Sequence, residues 1–351
     1  MIIDSVKKLA EHTDLTYDEV VNCMNEIMTG KTSDTLITNF LLALKMKGET
    51  VEELKAILDI MNKFSIKIRP SINERLIDTC GTGGDKIKTF NISTVTAFIT
   101  SAAGVRVAKH GNRTMSGLCG SADVLECFGY DLNTEPSKVE KCIEQIGIGF
   151  MFAPKFHPIM KNVTNARNQL GVRTAFNILG PLSNPANVNA QVVGVSDPTF
   201  IDKIVQVLKD IREEVMVFHA KDGLDEMSNT CINQIVWLRN GSISKFDLNP
   251  KRLKISIADP VDLTVISKEE SVEHTFRVLN GTATEKRTDI ALLNAAASLI
   301  VANEVDSFKD GLELASRMVQ SGKAYEKLKL LIKSCGDISV LEELEKKWQN
   351  S

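Results

Sequence analysis

The chain has 351 residues, 42 basic and 45 acidic side chains for a formal charge of −3, and 43% apolar residues. That is enough for one large α/β domain plus a smaller unit with a substantial core, and the slightly acidic balance excludes a general nucleic-acid binder, which would carry a basic domain or stripe. The seven cysteines (Cys23, Cys80, Cys119, Cys127, Cys142, Cys231, Cys335) are odd in number and contain no C-x-x-C pair. They suggest neither a disulfide framework nor a zinc site and fit a reducing cytoplasm. The opening MIIDSVKKLAEH lacks a charged-then-apolar leader, and the uncharged stretch 174–196 is interrupted by two prolines and four asparagines. A soluble cytoplasmic protein without a membrane span is expected.

Thr16 with Glu19 and Thr50 with Glu53 are capping boxes, each opening a segment of helical apolar spacing. Val20, Met24, Ile27 and Met28 complete the first before Gly30, and Leu36, Ile37, Phe40, Leu41 and Leu44 mark a further helix between the two. Residues 1–69 therefore read as a helical N-terminal domain. Arg69-Pro70 closes it, because the residue before proline is steered away from helix. Residues 70–351 alternate instead: strands expected at 76–79, 105–109, 148–152, 191–195 and 215–219 are separated by helix-length segments, the pattern of a mostly parallel sheet covered on both faces. Asn240-Gly241 between apolar runs 232–238 and 242–248 marks a late antiparallel hairpin. Segment 290–302 reads as a buried helix, and 312–319 and 325–332 as amphipathic ones. The section Asn177-Ile178-Leu179-Gly180-Pro181-Leu182 is expected to be irregular.

The stretch 78–94, DTCGTGGDKIKTFNIST, is a strand end followed by three glycines in four positions and then a helix start. Glycines admit backbone conformations that a Cβ forbids, and a helix start offers unpaired N–H donors and partial positive charge, so the implied ligand is an anion such as phosphate. The turn matches neither the P-loop nor the dinucleotide fingerprint. A second loop, KHGNRTMS from Lys109 to Ser116, follows one strand-helix-strand unit later and reads as a mobile basic loop closing over phosphates, with Lys109 supplying charge. Loops after successive parallel strands gather at one sheet edge, where the two would share a pocket. Asp225 and Glu226, after the fifth strand, arrive at the same edge and suit magnesium shared with phosphate oxygens. Arg167 lies on a short helix in a block that also holds His157 and Arg173, where a guanidinium could pair with a substrate carboxylate. Periodicity leaves open whether that helix faces the pocket or the solvent.

Taken together, GTGGD (81–85), NIST (91–94), KHGNR (109–113), GSADVLE (120–126), the block FAPKFHPIM to NILGPLSNP, and GLDE (223–226) resemble the anthranilate phosphoribosyltransferases of tryptophan biosynthesis, over residues 15–332. The resemblance implies a nucleoside-phosphorylase-like phosphoribosyltransferase fold, a small helical N-terminal domain plus a large α/β domain, paired as a homodimer. It places phosphoribosyl pyrophosphate on Gly81, Gly84, Asp85, Thr89, Asn91, Ile92, Ser93, Thr94, Lys109, His110, Gly111, Asn112, Arg113, Thr114, Met115, Ser116, Gly117 and Ser121. It places Mg2+, as two ions, on Ser93, Asp225 and Glu226, and anthranilate on Gly81, Asn112 and Arg167, with Lys109, Asp225 and Glu226 supporting catalysis. Gly117 and Cys119 stand where the family commonly carries serines, which bears on that loop's pyrophosphate contacts. A pyrimidine nucleoside phosphorylase would share the fold, but Asp225-Glu226 and the anthranilate-side block speak against it; a non-catalytic nucleic-acid-binding relative conflicts with the charge and the carboxylate pair.

Overall fold

The computed structural model describes residues 2–114 and 117–349. Four helices open the chain: α1 (Ile2–Ala10), α2 (Tyr17–Met28), α3 (Asp34–Lys47) and α4 (Val51–Lys63). Both expected capping boxes are formed, Thr16 with Glu19 and Thr50 with Glu53. Glu53 is fully buried and serves more than its cap: its carboxylate also accepts from Leu15 N at 3.0 Å and from Lys47 Nζ at 2.9 Å. That carboxylate joins α4 to the loop before α2 and to the end of α3.

The alternating region forms one sheet of seven strands among the described residues, in the order β3-β2-β1-β4-β5-β6-β7. The strands are β1 (Leu76–Gly81), β2 (Arg106–Gly111), β3 (Ile148–Phe152), β4 (Ala190–Gly194), β5 (Glu214–Ala220), β6 (Asn233–Arg239) and β7 (Ser242–Leu248). The first five are parallel and the last two antiparallel. Asn240 and Gly241 both have positive φ, 51° and 75°, the geometry a two-residue hairpin turn requires. Because β2 lies on one side of β1 and β4 on the other, the chain reverses direction across the sheet between β1 and β4. Ligands of open α/β sheets bind at such a point, outside the carboxyl ends of the strands.

The linking helices are α5 (Ile92–Ala102), α6 (Ser121–Cys127), α7 (Pro136–Ile146), α8 (Ala153–Phe156), α9 (Lys161–Leu170), α10 (Ala175–Leu182) and α11 (Ile201–Leu208). After the hairpin come α12 (Pro260–Leu263), α13 (Lys268–Leu279), α14 (Glu285–Val301), α15 (Phe308–Gln320), α16 (Lys323–Cys335) and α17 (Ile338–Gln349). One face of the sheet is covered by α5 and α13 to α16. On the other face the apolar core of α1 to α4 continues through α10 and α11 onto Val193, Val215 and Val217. The bundle is thus packed on the sheet through a shared core, and α9 rests on α2 and α3. Segment 177–182, expected to be irregular, is helical. Thr174 and Asn177 form a capping box at its start, and Pro181 falls in the last turn of α10, where the carbonyls upstream can be taken by neighbours instead of the helix.

Helix α14 is buried on every side from Ile290 to Val301, which explains its lack of a polar face. Its one amide side chain, Asn294, faces the turn after β5. It accepts from Met227 N at 2.9 Å and donates to Met227 O at 2.8 Å. Asn294→Ala would leave both Met227 groups buried and unpaired at about 1–3 kcal/mol each. Denaturant unfolding should therefore show a loss of at least about 2 kcal/mol, and a loss below about 0.5 kcal/mol, the level of a neutral substitution, would show that the turn repairs itself.

Candidate active site

Gly81, the last residue of β1, pairs in register with Gly194, the last of β4. The carboxylate turn after β5 lies across both. A Cβ on Gly81 would sit 2.2 Å from Asp225 Oδ2, and one on Gly194 would sit 1.7 Å from Asp225 O. Only hydrogen at both positions lets Asp225 settle onto the strand ends, so these glycines serve close approach rather than turn conformation. Gly83 and Gly84, by contrast, have φ of 73° and 91°, a region open to glycine at little cost. Gly83 N donates a short hydrogen bond to Asp225 Oδ2, and Asp225 N donates to Asp85 Oδ1 at 2.9 Å. The glycine turn and the carboxylate turn therefore hold each other.

Glu226 is buried beside them and accepts from Ser93 N at 3.0 Å. Asn91 is the N-cap of α5 but makes no side-chain cap, so this Glu226 carboxylate takes a first-turn N–H and meets the positive end of α5. Asn91 Nδ2 instead donates to Cys119 O at 3.0 Å and Ser271 Oγ at 3.3 Å. Ile92 and Thr94 are buried in the first turn of α5. Thr94 Oγ1 has no partner among the described residues. Thr89 bridges to Thr264 across the entrance to the helix.

Lys109, expected both as the last residue of a strand and as the first of a loop, lies inside β2, which runs on through His110 and Gly111. It is buried within β2, and its ammonium donates to Thr79 O at 2.8 Å and Ser93 Oγ at 3.3 Å. Its place in the ladder between Ala108 and His110 is fixed by pairing with Phe150 of β3. His110 projects to the opposite face, as alternation in a strand demands. Its ring lies 5.1 Å from that of His157, and burial holds both imidazoles below their ordinary range, His157 at about 4. Both rings are neutral at pH 7. The irregular segment begins only after Gly111. Asn112 O accepts from Ala122 N at 3.2 Å and Ser121 Oγ at 3.4 Å. The guanidinium of Arg113 is taken up by Asp123 and Glu126 of α6 at 2.6–2.9 Å. Thr114 Oγ1 accepts from Gly117 N at 2.6 Å. Met115 and Ser116 lie outside the described residues. Cys119 contributes its carbonyl, while its half-buried thiol is pushed up to about 12 by burial.

Arg167 is half-buried on α9 with its guanidinium 5.7 Å from the centre of the Phe176 ring, and burial lowers its pKa. The structure therefore gives it an aromatic support instead of a plain solvated position. Three features of the site escaped the sequence reading. Asp78 is completely buried, accepting from Asn184 Nδ2 at 2.8 Å and Gln191 Nε2 at 3.2 Å. Arg173 reaches the glycine turn. Asn294 anchors the carboxylates from behind. A separate cleft of about 460 Å³, lined by Lys67, Arg69, Pro70, Leu76 and Asn189, lies at the opposite strand ends and contains none of these groups.

Electrostatically the site is short of positive charge. Burial, reinforced by Asp225, pushes Asp85 up to about 11 and Glu226 up to about 8, with Lys109 opposing the second shift. Lys109 is itself lowered by burial. No three His, Cys, Asp or Glu side chains among the described residues are arranged to hold a metal unaided. Two carboxylates that resist ionisation, beside a turn of phosphate type, fit a divalent cation whose other ligands are phosphate oxygens and water.

The helical bundle and the doubly covered sheet with its glycine turn are two separately recognised parts of one class of protein, the glycosyl transferases. Residues 3–65 match the model of the glycosyl transferase family, helical bundle domain, and residues 73–325 that of the glycosyl transferase family, a/b domain. An anthranilate phosphoribosyltransferase of Nitrosopumilus maritimus is 46% identical over 98% of this chain and 99% of its own length. The crystal structure of the Thermus thermophilus enzyme of that name superposes with a TM-score of 0.88 at 35% identity, covering 95% and 99% of the two chains. That of Saccharomyces cerevisiae, in complex with PRPP and Mg, shares the fold at 24% identity and a TM-score of 0.87, covering 95% and 97%. The chain belongs to the anthranilate phosphoribosyltransferase family.

The raised carboxyl of Glu226 carries a pH signature. Between its ordinary value of 4.5 and about 8 the unfolded chain is ionised there while the folded one stays protonated, so folding loses stability as pH rises through that window. His110 and His157, kept neutral by burial, act in the opposite sense below about 6.5. In metal-free protein, Glu226→Gln should therefore gain on wild type from pH 4.5 to about 8 and hold a constant advantage above. Parallel melting-temperature curves for the two proteins would disprove the raised value.

Proposed function

We propose that this chain transfers the phosphoribosyl group of phosphoribosyl pyrophosphate to the amine of anthranilate, giving N-(5-phosphoribosyl)anthranilate and pyrophosphate, a step of tryptophan biosynthesis. The observation that carries the reading is the Asp225-Glu226 turn seated on Gly81 and Gly194, at the reversal point of a sheet whose whole chain belongs to the family. Residues 70–351 form the phosphoribosyl-pyrophosphate-binding catalytic unit. Residues 1–69, with the chain near 157–175 leaning on them, form part of the anthranilate side.

In this reading the pyrophosphate lies over Gly81, Gly84 and Asp85 and the start of α5, from Asn91 to Thr94, where main-chain N–H groups and the helix terminus favour an anion. Lys109 supports it from beneath through Ser93 Oγ and supplies charge in a dry setting, where charge counts for more. Asn112, Gly117 and Ser121 close one side. Asp225, Glu226 and Ser93 would hold Mg2+, two ions in our reading, which supplies charge neutralisation for departing pyrophosphate. The raised carboxyl of Glu226 supports that assignment, since a divalent cation relieves what burial and the neighbouring Asp225 impose on it. Arg167 pairs with the anthranilate carboxylate, with Gly81 and Asn112 alongside. An aromatic amine is unprotonated at neutral pH, so the chain needs to place it in line with the ribose carbon and does not need a strong base. Buried neutral His110 and His157 are consistent with that.

The chain acts as a homodimer in our reading, through the bundle, where Ile3, Leu42 and Met46 are exposed on α1 and α3. No helix among the described residues is long and apolar enough to cross a membrane, and the free cysteines fit a reducing cytoplasm.

Anthranilate fluorescence should fall only when phosphoribosyl pyrophosphate, anthranilate and magnesium are all present, and EDTA should stop it. Turnover of uridine or thymidine with phosphate in place of anthranilate would overturn the assignment. Arg167→Ala should cost about 2–5 kcal/mol, or roughly thirty-fold and upward in kcat/KM at about 1.4 kcal/mol per tenfold. The loss should fall on anthranilate, and lysine should rescue it only in part because the two-pronged geometry is gone. Unchanged anthranilate dependence in Arg167→Ala would remove this residue from the site.

A further inference from the structure

Arg173 sits between the end of α9 and the start of α10, and its guanidinium spans the glycine turn. Nη2 donates to Thr82 O at 2.7 Å and Nη1 to Ser196 Oγ at 2.9 Å. Ser196 Oγ in turn donates to Gly83 O at 2.8 Å. A Cβ on Gly84 would stand 1.8 Å from Nη1, so the guanidinium occupies the space that any side chain there would need. Two successive carbonyls of the turn are thus drawn to the Arg173 side.

In a trans peptide the N–H points opposite to the C=O of the same plane. With Thr82 C=O held by Arg173, Gly83 N–H must face the other way, and it does: it donates to Asp225 Oδ2. The same geometry applied to the next plane, whose Gly83 C=O is held by Ser196, turns Gly84 N–H away from Ser196 as well. Gly83 and Gly84 are exposed, and with φ of 73° and 91° a glycine pair free of such restraint would sample many orientations. The backbone of Arg173 is itself fixed from the helical bundle, because Lys45 Nζ of α3 donates to Arg173 O at 2.8 Å.

We propose that Arg173 is a positioning residue that sets the peptide planes of the glycine turn, so that Gly83 N–H holds Asp225 while Gly84 N–H is presented to the pyrophosphate, and that Lys45 ties this setting to the seating of the helical bundle. The inference rests on the reading of that turn as the pyrophosphate cradle. Arg173 acts through Thr82, Ser196 and Gly83. It contributes geometry, and a point charge on a flexible stem cannot replace its fork.

The test is binding of inorganic pyrophosphate with magnesium, measured by calorimetry on the full-length protein without anthranilate, alongside steady-state kinetics and melting temperature. Arg173→Lys should weaken pyrophosphate about tenfold and raise the KM for phosphoribosyl pyrophosphate in parallel, while the KM for anthranilate stays within about twofold. Ser196→Ala, which alters no charge, should shift pyrophosphate in the same direction by about threefold. Lys45→Met, remote from the ligand, should raise the KM for phosphoribosyl pyrophosphate and leave that for anthranilate in place. If Arg173→Lys keeps full affinity, or if Ser196→Ala is silent while Arg173→Ala is not, the residue meets the anion directly or merely packs, and the positioning role is wrong. A lowered melting temperature with unchanged pyrophosphate affinity in the folded protein overturns it too, and a silent Lys45→Met removes the link to the bundle. Because pyrophosphate binding is read without anthranilate, a wild-type protein that binds pyrophosphate but fails to consume anthranilate would sink the proposed reaction and leave the role of Arg173 standing.

Discussion

The site depends on one close approach, the descent of Asp225 onto two glycines that face each other across β1 and β4. Gly81 and Gly194 are in register, and a Cβ on either would occupy the volume of the Asp225 carboxylate or its main chain. With that volume free, the turn after β5 lies flat on the strand ends, Gly83 N–H meets Asp225, and Glu226 is carried to the first turn of α5. Asn294 closes the arrangement from the far side through Met227. The three carboxylates Asp85, Asp225 and Glu226 are placed together by this contact.

The contact also brings the carboxylates of Asp85, Asp225 and Glu226 into a region with little water and one buried ammonium. Their mutual repulsion and burial raise Asp85 and Glu226 far above ordinary values, and Lys109 offsets only part of this while itself losing affinity for its proton. A chain that merely needed stability would not keep such a set, since neutral or apolar replacements avoid the desolvation cost. The imbalance is one that a divalent cation would relieve.

The arginines divide their work in a way that residue type does not reveal. Arg113 is held by Asp123 and Glu126 and orders the loop after β2 against α6. Arg173 braces the glycine turn, and Arg167 rests on Phe176. The bundle participates as well, because its core runs onto the sheet and Lys45 fastens to Arg173.

By itself the sequence determined the elements and their order. Capping boxes at Thr16 and Thr50, the alternation of strands and helices after Pro70, the Asn240-Gly241 hairpin and the apolar α14 are all local signals, carried by residues a few positions apart, and each is found where the spacing places it. It also marked the glycine turn and the carboxylate pair as chemistry-bearing segments. What it could not show is which side chains meet, since those contacts span long separations in the chain: Gly81 with Asp225, Thr82 with Arg173, Met227 with Asn294. The tertiary structure alone decided that Gly81 and Gly194 are needed for approach and not for φ, and that the strand expected to end at Lys109 runs on through His110, with the two side chains facing opposite ways. It also decided that residues 177–182 are helical despite Pro181. The physical reason is the same in each case: periodicity and propensity act along the chain over a few residues, whereas excluded volume, burial of charge and the direction of a peptide plane are fixed only when distant segments are packed together.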